Sequence, residues 1–357
     1  MTDPTPGKPP RRPRYRGKNP RHFHEKYKEL QPERYAEDVA RVLAGGKTPA
    51  GTHRPIMVRE ILEVLAPGPG QVAVDCTIGY GGHARELLRV VQPGGRLLGI
   101  DADPIELPRT EARLRALGFP PESFALRRMN YAGLPRFLAV EAPGGADLIL
   151  ADLGLSSMQI DDPARGFSFK ADGPLDMRMN PTRGRPASDL LSGLDADRLA
   201  QILTENADEP NARQLARAIL DAHARTPLTT TRALAAVVSA TLAPSSRHPA
   251  DTANDAIRRV FQALRVAVND EFSALVALLR VLPACLKPGG RVAVLTFHSG
   301  EDRRVKAAFK DGRRDGVYSA IAGEVVRAAP DETRANPRST AAKLRFAVRA
   351  SPPTSAP

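Results

Sequence analysis

Tryptophan is absent from this chain of 357 residues, cysteine occurs only twice, and aromatic residues make up 5% of it. Two cysteines cannot staple a disulfide scaffold. Neither Cys76 nor Cys285 has a second Cys or a His at metal-ligand spacing, so no metal site is indicated. Both lie in apolar stretches and read as small core residues of a protein kept in a reducing compartment. Long apolar runs are missing too: none approaches the roughly 18 residues of a membrane span. No apolar stretch follows the Pro- and Arg-rich N-terminus as it would in a secretory signal. A cytoplasmic protein is expected. With 42% hydrophobic and 26% charged residues, the composition is that of a globular chain. Its length suits one large domain with an insertion, or two domains.

An acidic excess is also lacking, and the formal net charge is +12. Residues 1–50 carry twelve Lys/Arg against six Asp/Glu, residues 303–357 twelve against five, and the stretch between is close to neutral, 28 against 29. A neutral middle with basic flanks suits a catalytic core that draws affinity for a polyanion from its ends. Arginine outnumbers lysine 42 to 10, as GC-rich coding would produce, but such a bias does not confine the excess to the ends. Residues 1–35 hold six prolines before position 21 and no apolar periodicity; a disordered basic arm is expected there.

From residue 54 the pattern changes. PIMVREILEVL (55–65) has apolar residues at helical spacing. Val72–Val74 is an apolar strand that runs into a glycine-rich loop and a helix, His83–Val91. RLLGID (96–101) is a second strand, followed by a loop and helix; FALRRMN (124–130) is a third strand and ADLILADLG (146–154) a fourth. This rhythm implies a parallel sheet with helices on both faces. It then breaks. Residues 155–187 have few aliphatic side chains, and residues 188–280 read as helices, the last of them returning to the sheet. KPGGRVAVLTFHS (287–299) supplies a fifth strand and AAKLRFAVRA (341–350) a final one. The expected fold is α/β: a doubly wound Rossmann-like sheet over residues 36–187 and 256–357, with an inserted helical subdomain over 188–255.

Gly79-Tyr80-Gly81-Gly82 follows the first strand and opens a helix, where glycine lets backbone approach a ligand and the helix N-terminus offers free N–H groups. Gly79-x-Gly81-x-x-Ala84 also fits a dinucleotide fingerprint, and Asp101, at the end of the second strand, suits an adenosine ribose in either case. Asp75 separates the alternatives. A pyrophosphate beside this carboxylate would be repelled, whereas S-adenosylmethionine presents an ammonium and a sulfonium. Asp152, at the end of the fourth strand, strengthens the same argument, although strand-end Asp residues also serve as helix caps. The pattern therefore points to a methyltransferase. Asp152-Leu153-Gly154-Leu155-Ser156-Ser157 holds the position of the acidic motif of amino-group methyltransferases: a carboxylate that accepts the N–H of an exocyclic amine frees its lone pair for attack. Carbon methylation of a pyrimidine would need a cysteine nucleophile, and neither Cys76 nor Cys285 is suitably placed.

The segment DLGLSSMQIDDPARGFSFKADGPLDMRMNPTRG (152–184) resembles the signature of the bacterial ribosomal RNA small subunit methyltransferase H family, which makes N4-methylcytidine in the decoding region of 16S rRNA. The likeness continues in HRPIM (53–57), DCTIGYGGH (75–83), GIDADP (99–104), HPA (248–250), FQALRVAVNDE (261–271), TFHSGEDR (296–303) and ANPRSTAAKLR (335–345). It spans residues 53 to 349 in the family's order. The resemblance implies that Gly81, Gly82, His83, Asp101, Tyr131, Asp152 and Gln159 contact S-adenosylmethionine, and that the partner is 16S rRNA within the small subunit. Asp152 serves cofactor, substrate amine or both. Phe167 and Phe169 either stack on an extruded cytosine or pack the loop against the core. Asp172, Asp176, Arg178 and Arg183 order the loop or touch RNA phosphates, with Arg178 taken as a substrate contact. His298 is read as a catalytic, substrate-side residue against the alternative of a structural histidine. The chain departs from the family in a longer link, DTANDAIRRV, in Gly300 where Leu is common, in the extra arm, and in a short segment before ANPRS. An amino-methyltransferase of DNA or another RNA, and an rRNA-binding assembly factor with a vestigial cofactor site, are the competing readings; the intact Gly81, Gly82, Asp101 and Asp152 argue against the second.

Overall fold

The computed structural model describes residues 55–243 and 249–352, and the N-terminal arm lies outside them. The first elements are helix α1 (Val58–Leu65), strand β1 (Val72–Asp75), helix α2 (Gly82–Val91), β2 (Arg96–Asp101), α3 (Glu106–Ala116), β3 (Phe124–Arg128), α4 (Leu134–Glu141), β4 (Ala146–Asp152) and the short α5 (Ser157–Asp161). Helices α6 (Ala187–Ser192), α7 (Ala196–Ala207), α8 (Ala212–Arg225), α9 (Thr231–Leu242) and α10 (Pro249–Asn269) follow. The chain then returns through α11 (Glu271–Cys285), β5 (Leu286–Thr296), α12 (Ser299–Arg314), β6 (Tyr318–Ile321), α13 (Pro330–Ala335) and β7 (Lys343–Arg349).

The strands form one sheet in the order β3-β2-β1-β4-β5-β7-β6. Strands β1 to β5 pair in parallel, and β7 is antiparallel to both β5 and β6. Alternate side chains of the central strands are apolar on both faces, as burial on both sides demands. Val74, Leu98, Ile149 and Val292 pack under α4, α11 and α12. Ala73, Leu97, Leu148 and Ala293 pack under α1, α2 and α3. Cys76 and Cys285 are buried in the first of these layers. The order reverses between β1 and β4, and in such sheets the crevice beyond the carboxyl ends at the reversal is where ligands bind. Asp75, Asp101 and Asp152 end the three strands around it.

A third core belongs to the helical insertion. It joins Leu199, Leu203, Leu215, Ile219, Leu234 and Val238 to Ala256, Ile257, Val260, Phe261 and Leu264, and it also takes in Phe167, Leu175 and Met177. The boundaries expected at 188 and 255 are therefore displaced. Residue 255 lies within α10, whose apolar face continues to Leu264, and the insertion's core already begins in the loop before α6. The single return helix expected up to Cys285 is two helices, parted at Asp270 in the left-handed region (φ 50°). Strand β6 was not foreseen. Only Tyr318 of its four residues is buried, so it carries no apolar alternation to read.

Among the described residues no helix is long and apolar enough to cross a membrane.

Candidate active site

The loop after β1 is built by backbone geometry. Gly79 and Gly81 adopt left-handed φ angles of 46° and 85°, which favour glycine. Gly82 is needed for a different reason: a Cβ there would lie 2.4 Å from Cγ of Pro55. The first turn of α2 starts at this glycine, and its N-cap, Gly81, supplies no side-chain acceptor, so its leading N–H groups are open to an anionic ligand. Thr77 ties the crevice together. Its Oγ1 accepts the Asp152 N–H at 2.7 Å and its own N–H donates to Asp75 at 3.0 Å.

Three carboxylates end the strands around this crevice, and all three are harder to ionise than usual. Asp75 is 1% exposed; burial, augmented by Asp152 and Asp101 and opposed by His83, pushes its pKa up to about 6. Asp152 has a 27% exposed side chain, yet it is recessed enough that burial, with Glu301 second, pushes it up to about 7. Burial raises Asp101 too, although its oxygens accept N–H bonds from Gly79 and Asp103 at 2.8 Å each. Each oxygen of Asp101 keeps a lone pair for a ribose hydroxyl. An acidic crevice of this kind repels phosphate and gains from a cation.

The other candidate residues are placed as follows around it. His83 is 8% exposed, with Nε2 2.9 Å from the Ile56 carbonyl and Nδ1 3.5 Å from Asp152 Oδ2. Tyr131 follows β3, packs on the α11 side of the sheet, and has its hydroxyl pKa raised by burial and by Glu271 and Glu301. Gln159 closes a capping box at the start of α5 and donates to Asp103 Oδ2 at 2.7 Å, which leaves one amide hydrogen for a ligand. His298 is the N-cap of α12, its Nε2 3.2 Å from Glu301 Oε1 and its ring 5.7 Å from that of Phe272. Glu301, buried, is the carboxylate that bears on Asp152. Burial would raise its pKa, but His298, Arg265 and the Phe297 N–H outweigh that and hold it low. Gly300, where the family commonly has Leu, is fitted to its neighbour: a Cβ would stand 2.6 Å from Phe272 Cζ.

The three substrate-side candidates of the long loop all have partners within the fold. Phe167 is buried in the insertion's core, and Phe169 packs edge-on to Phe261 at 5.6 Å. Phe169 stays half-buried. Arg178 grips Asp176 through Nε and Nη2 at 2.8 and 2.7 Å, so it orders the loop. The residue that governs the loop is Asp103. Its Oδ1 accepts the N–H groups of Ile105 at 2.8 Å and of Glu106, the first residue of α3, at 3.3 Å, and its Oδ2 takes Gln159 and, at 2.9 Å, Arg165. Arg165 in turn donates to the carbonyls of Arg178 and Met179.

The donor set fits S-adenosylmethionine. Asp75 and Asp152 suit its cationic groups, the open turn of α2 its carboxylate, and Asp101 its ribose. The fold and this site define an S-adenosylmethionine-dependent methyltransferase. The sequence model of the MraW methylase family matches residues 50–350, and the chain belongs to that family. It is 48% identical to ribosomal RNA small subunit methyltransferase H 2 of Alkaliphilus metalliredigens over 345 residues, covering 95% of this chain and 97% of that protein. To ribosomal RNA small subunit methyltransferase H 1 of Lachnoclostridium phytofermentans it is 46% identical, covering 95% and 93%. To ribosomal RNA small subunit methyltransferase H of Rubrobacter xylanophilus it is 42% identical, covering 85% and 98%.

Two results are expected for the cofactor. Asp101→Ala loses both ribose hydrogen bonds, each worth about 1.5–3 kcal/mol as charge-assisted bonds, so calorimetry should show affinity falling at least about 100-fold. Unchanged affinity would remove Asp101 from the site. Affinity of the wild-type protein should rise with pH between 5.5 and 8. Carboxylates with pKa of about 6 and about 7 are neutral below those values, and the cation binds their ionised forms, so binding releases protons. Each such group weakens binding by up to about tenfold per pH unit below its pKa. A flat pH dependence would contradict this electrostatic assignment.

Proposed function

We propose that the protein methylates the exocyclic N4 amine of a cytidine in 16S rRNA of the small ribosomal subunit, in the cytoplasm. The observation that carries the reading is Asp152, a recessed carboxylate at the floor of the cofactor crevice with Oδ1 free of hydrogen bonds among the described residues. The names of the relatives support the RNA class. When bound, S-adenosylmethionine supplies an activated methyl group. The chain's own residues do the rest: Asp101 and α2 hold the donor, Thr77 fixes the Asp152 backbone, and Asp152 accepts an amine N–H so that the nitrogen lone pair turns toward the methyl group.

Labelled-methyl transfer to intact small subunits, free rRNA and DNA tests this. Incorporation into small-subunit RNA supports it, and preferential labelling of DNA contradicts it. Basic charge contributes unevenly. Many C-terminal cations are engaged within the fold: Arg303 with Asp208, Arg338 with Asp161, and Lys343 and Arg345 with Asp302. Electrostatic attraction for RNA is therefore assigned mainly to the arm. Deleting residues 1–30 should weaken small-subunit binding and flatten its salt dependence while leaving cofactor affinity unchanged. An unaltered salt slope would show that the arm takes no part.

A further inference from the structure

His83 lies in the first turn of α2, and its ring turns one nitrogen to the Ile56 carbonyl and the other to Asp152. The Ile56 carbonyl can only accept, so Nε2, 2.9 Å away, carries the proton. Ile56 is itself held. Pro55 abuts Gly82, and Met57, in the left-handed region at φ 58°, donates its N–H to Glu332 Oε1 at 2.8 Å. Burial lowers the His83 pKa despite Asp75 from β1, Glu332 from α13 and Glu86 on its own helix. With Nε2 donating to Ile56, the neutral ring turns a bare Nδ1 toward Asp152 Oδ2, 3.5 Å away. Two lone pairs meet there whenever Asp152 is ionised. The contact becomes attractive when Oδ2 bears a proton. A loose distance of this kind is usual for catalytic hydrogen bonds before ligands bind.

We propose that His83 is a positioning residue for Asp152, its Nδ1 receiving the hydrogen bond of Asp152 Oδ2–H once Asp152 has taken the proton released by the methylated amine. The proposal rests on the amine-methylation reading. In the reaction the N–C bond forms as the S–C bond breaks, its electron pair remaining on sulfur. The amine nitrogen, now positively charged, loses one proton to Asp152. The proton lands on Oδ2, whose O–H turns about the C–O bond toward His83 Nδ1; this bond stabilises the protonated carboxyl, and the proton goes to solvent on product release. The carboxylates that bear on the pair are Asp75, Glu86, Glu301 and Glu332, with Asp101 reaching it through Asp75.

The test begins with nitrogen-15 NMR of histidine-labelled free protein between pH 5.5 and 8.5. The expected spectrum at neutral pH and above has Nε2 protonated and Nδ1 unprotonated, with an Nδ1 hydrogen bond that strengthens as the pH falls toward 7 and is absent in Asp152→Ala. A ring doubly protonated at neutral pH, or an Nδ1 signal indifferent to Asp152→Ala, overturns the proposal. Single-turnover methylation at saturating cofactor supplies the second readout. His83→Leu should slow the step by up to about 10²-fold, as misplaced catalytic groups do, with little change in cofactor affinity. His83→Asn, whose Oδ1 stands where Nδ1 was, should recover part of the loss. A variant that weakens cofactor binding and regains the full rate at saturation would make His83 a cofactor ligand instead. The NMR experiment needs no RNA, so failure of the rRNA reading would leave it unchanged and appear only as absent turnover in the wild-type protein.

Discussion

Asp152→Asn is expected to turn over on the order of 10²–10³-fold more slowly than the wild-type protein at saturating cofactor, the size of loss seen when one positioned charge-stabilising group is removed. The amide oxygen can still accept an amine hydrogen. What disappears is the negative charge that offsets the charge developing on nitrogen, together with the capacity to take up a proton. Burial and Glu301, which push Asp152 up to about 7, give it a basicity near the working pH, where a general base is most useful. Single-turnover methylation at saturating S-adenosylmethionine checks the result. Recovery of the full rate would leave Asp152 with cofactor binding alone.

Asp103→Ala carries the largest expected cost to the fold. Asp103 is 1% exposed and serves α3, α5 and the long loop at once. Its removal leaves the Arg165 guanidinium, with an 11% exposed side chain, facing a hole. Breaking a buried pair in this way costs about 3–5 kcal/mol, which chemical denaturation would report. Loosening Arg165 also frees the carbonyls of Arg178 and Met179, so activity should fall even at temperatures where the variant stays folded. A change under about 1 kcal/mol, the range of exposed pairs, would mean that the ion pair is solvated.

Much of the sheet was legible because strands buried on both faces carry unbroken apolar runs, as the central parts of β1, β2, β4 and Val292–Leu295 of β5 do. The strand-end carboxylates Asp75, Asp101 and Asp152 were legible for the same reason: a charge that closes an apolar run stands out. Side-chain direction within the irregular loop was not. Phe167 and Phe169 have no periodicity around them, so stacking on a base and packing in a core look identical in sequence. That Gly82 also has no room for a side chain was hidden, because the atoms a Cβ would meet belong to Pro55, 27 positions earlier. Asp103 had a readable local role as a cap two residues beyond β2. Its pairing with Arg165 spans 62 positions and follows no local rule. The junction at Asp270 was hidden because α10 and α11 are both helical and apolar, while their apolar faces serve different cores.

The central claim is the chemical identity of the methylated atom, and nucleoside mass spectrometry of small-subunit RNA after reaction with methyl-deuterated S-adenosylmethionine tests it most directly. The account predicts deuterated methyl on the exocyclic N4 amine of cytidine, present with wild-type protein and strongly reduced with Asp152→Asn. Label on a pyrimidine carbon, on a ribose hydroxyl or on adenine would contradict it.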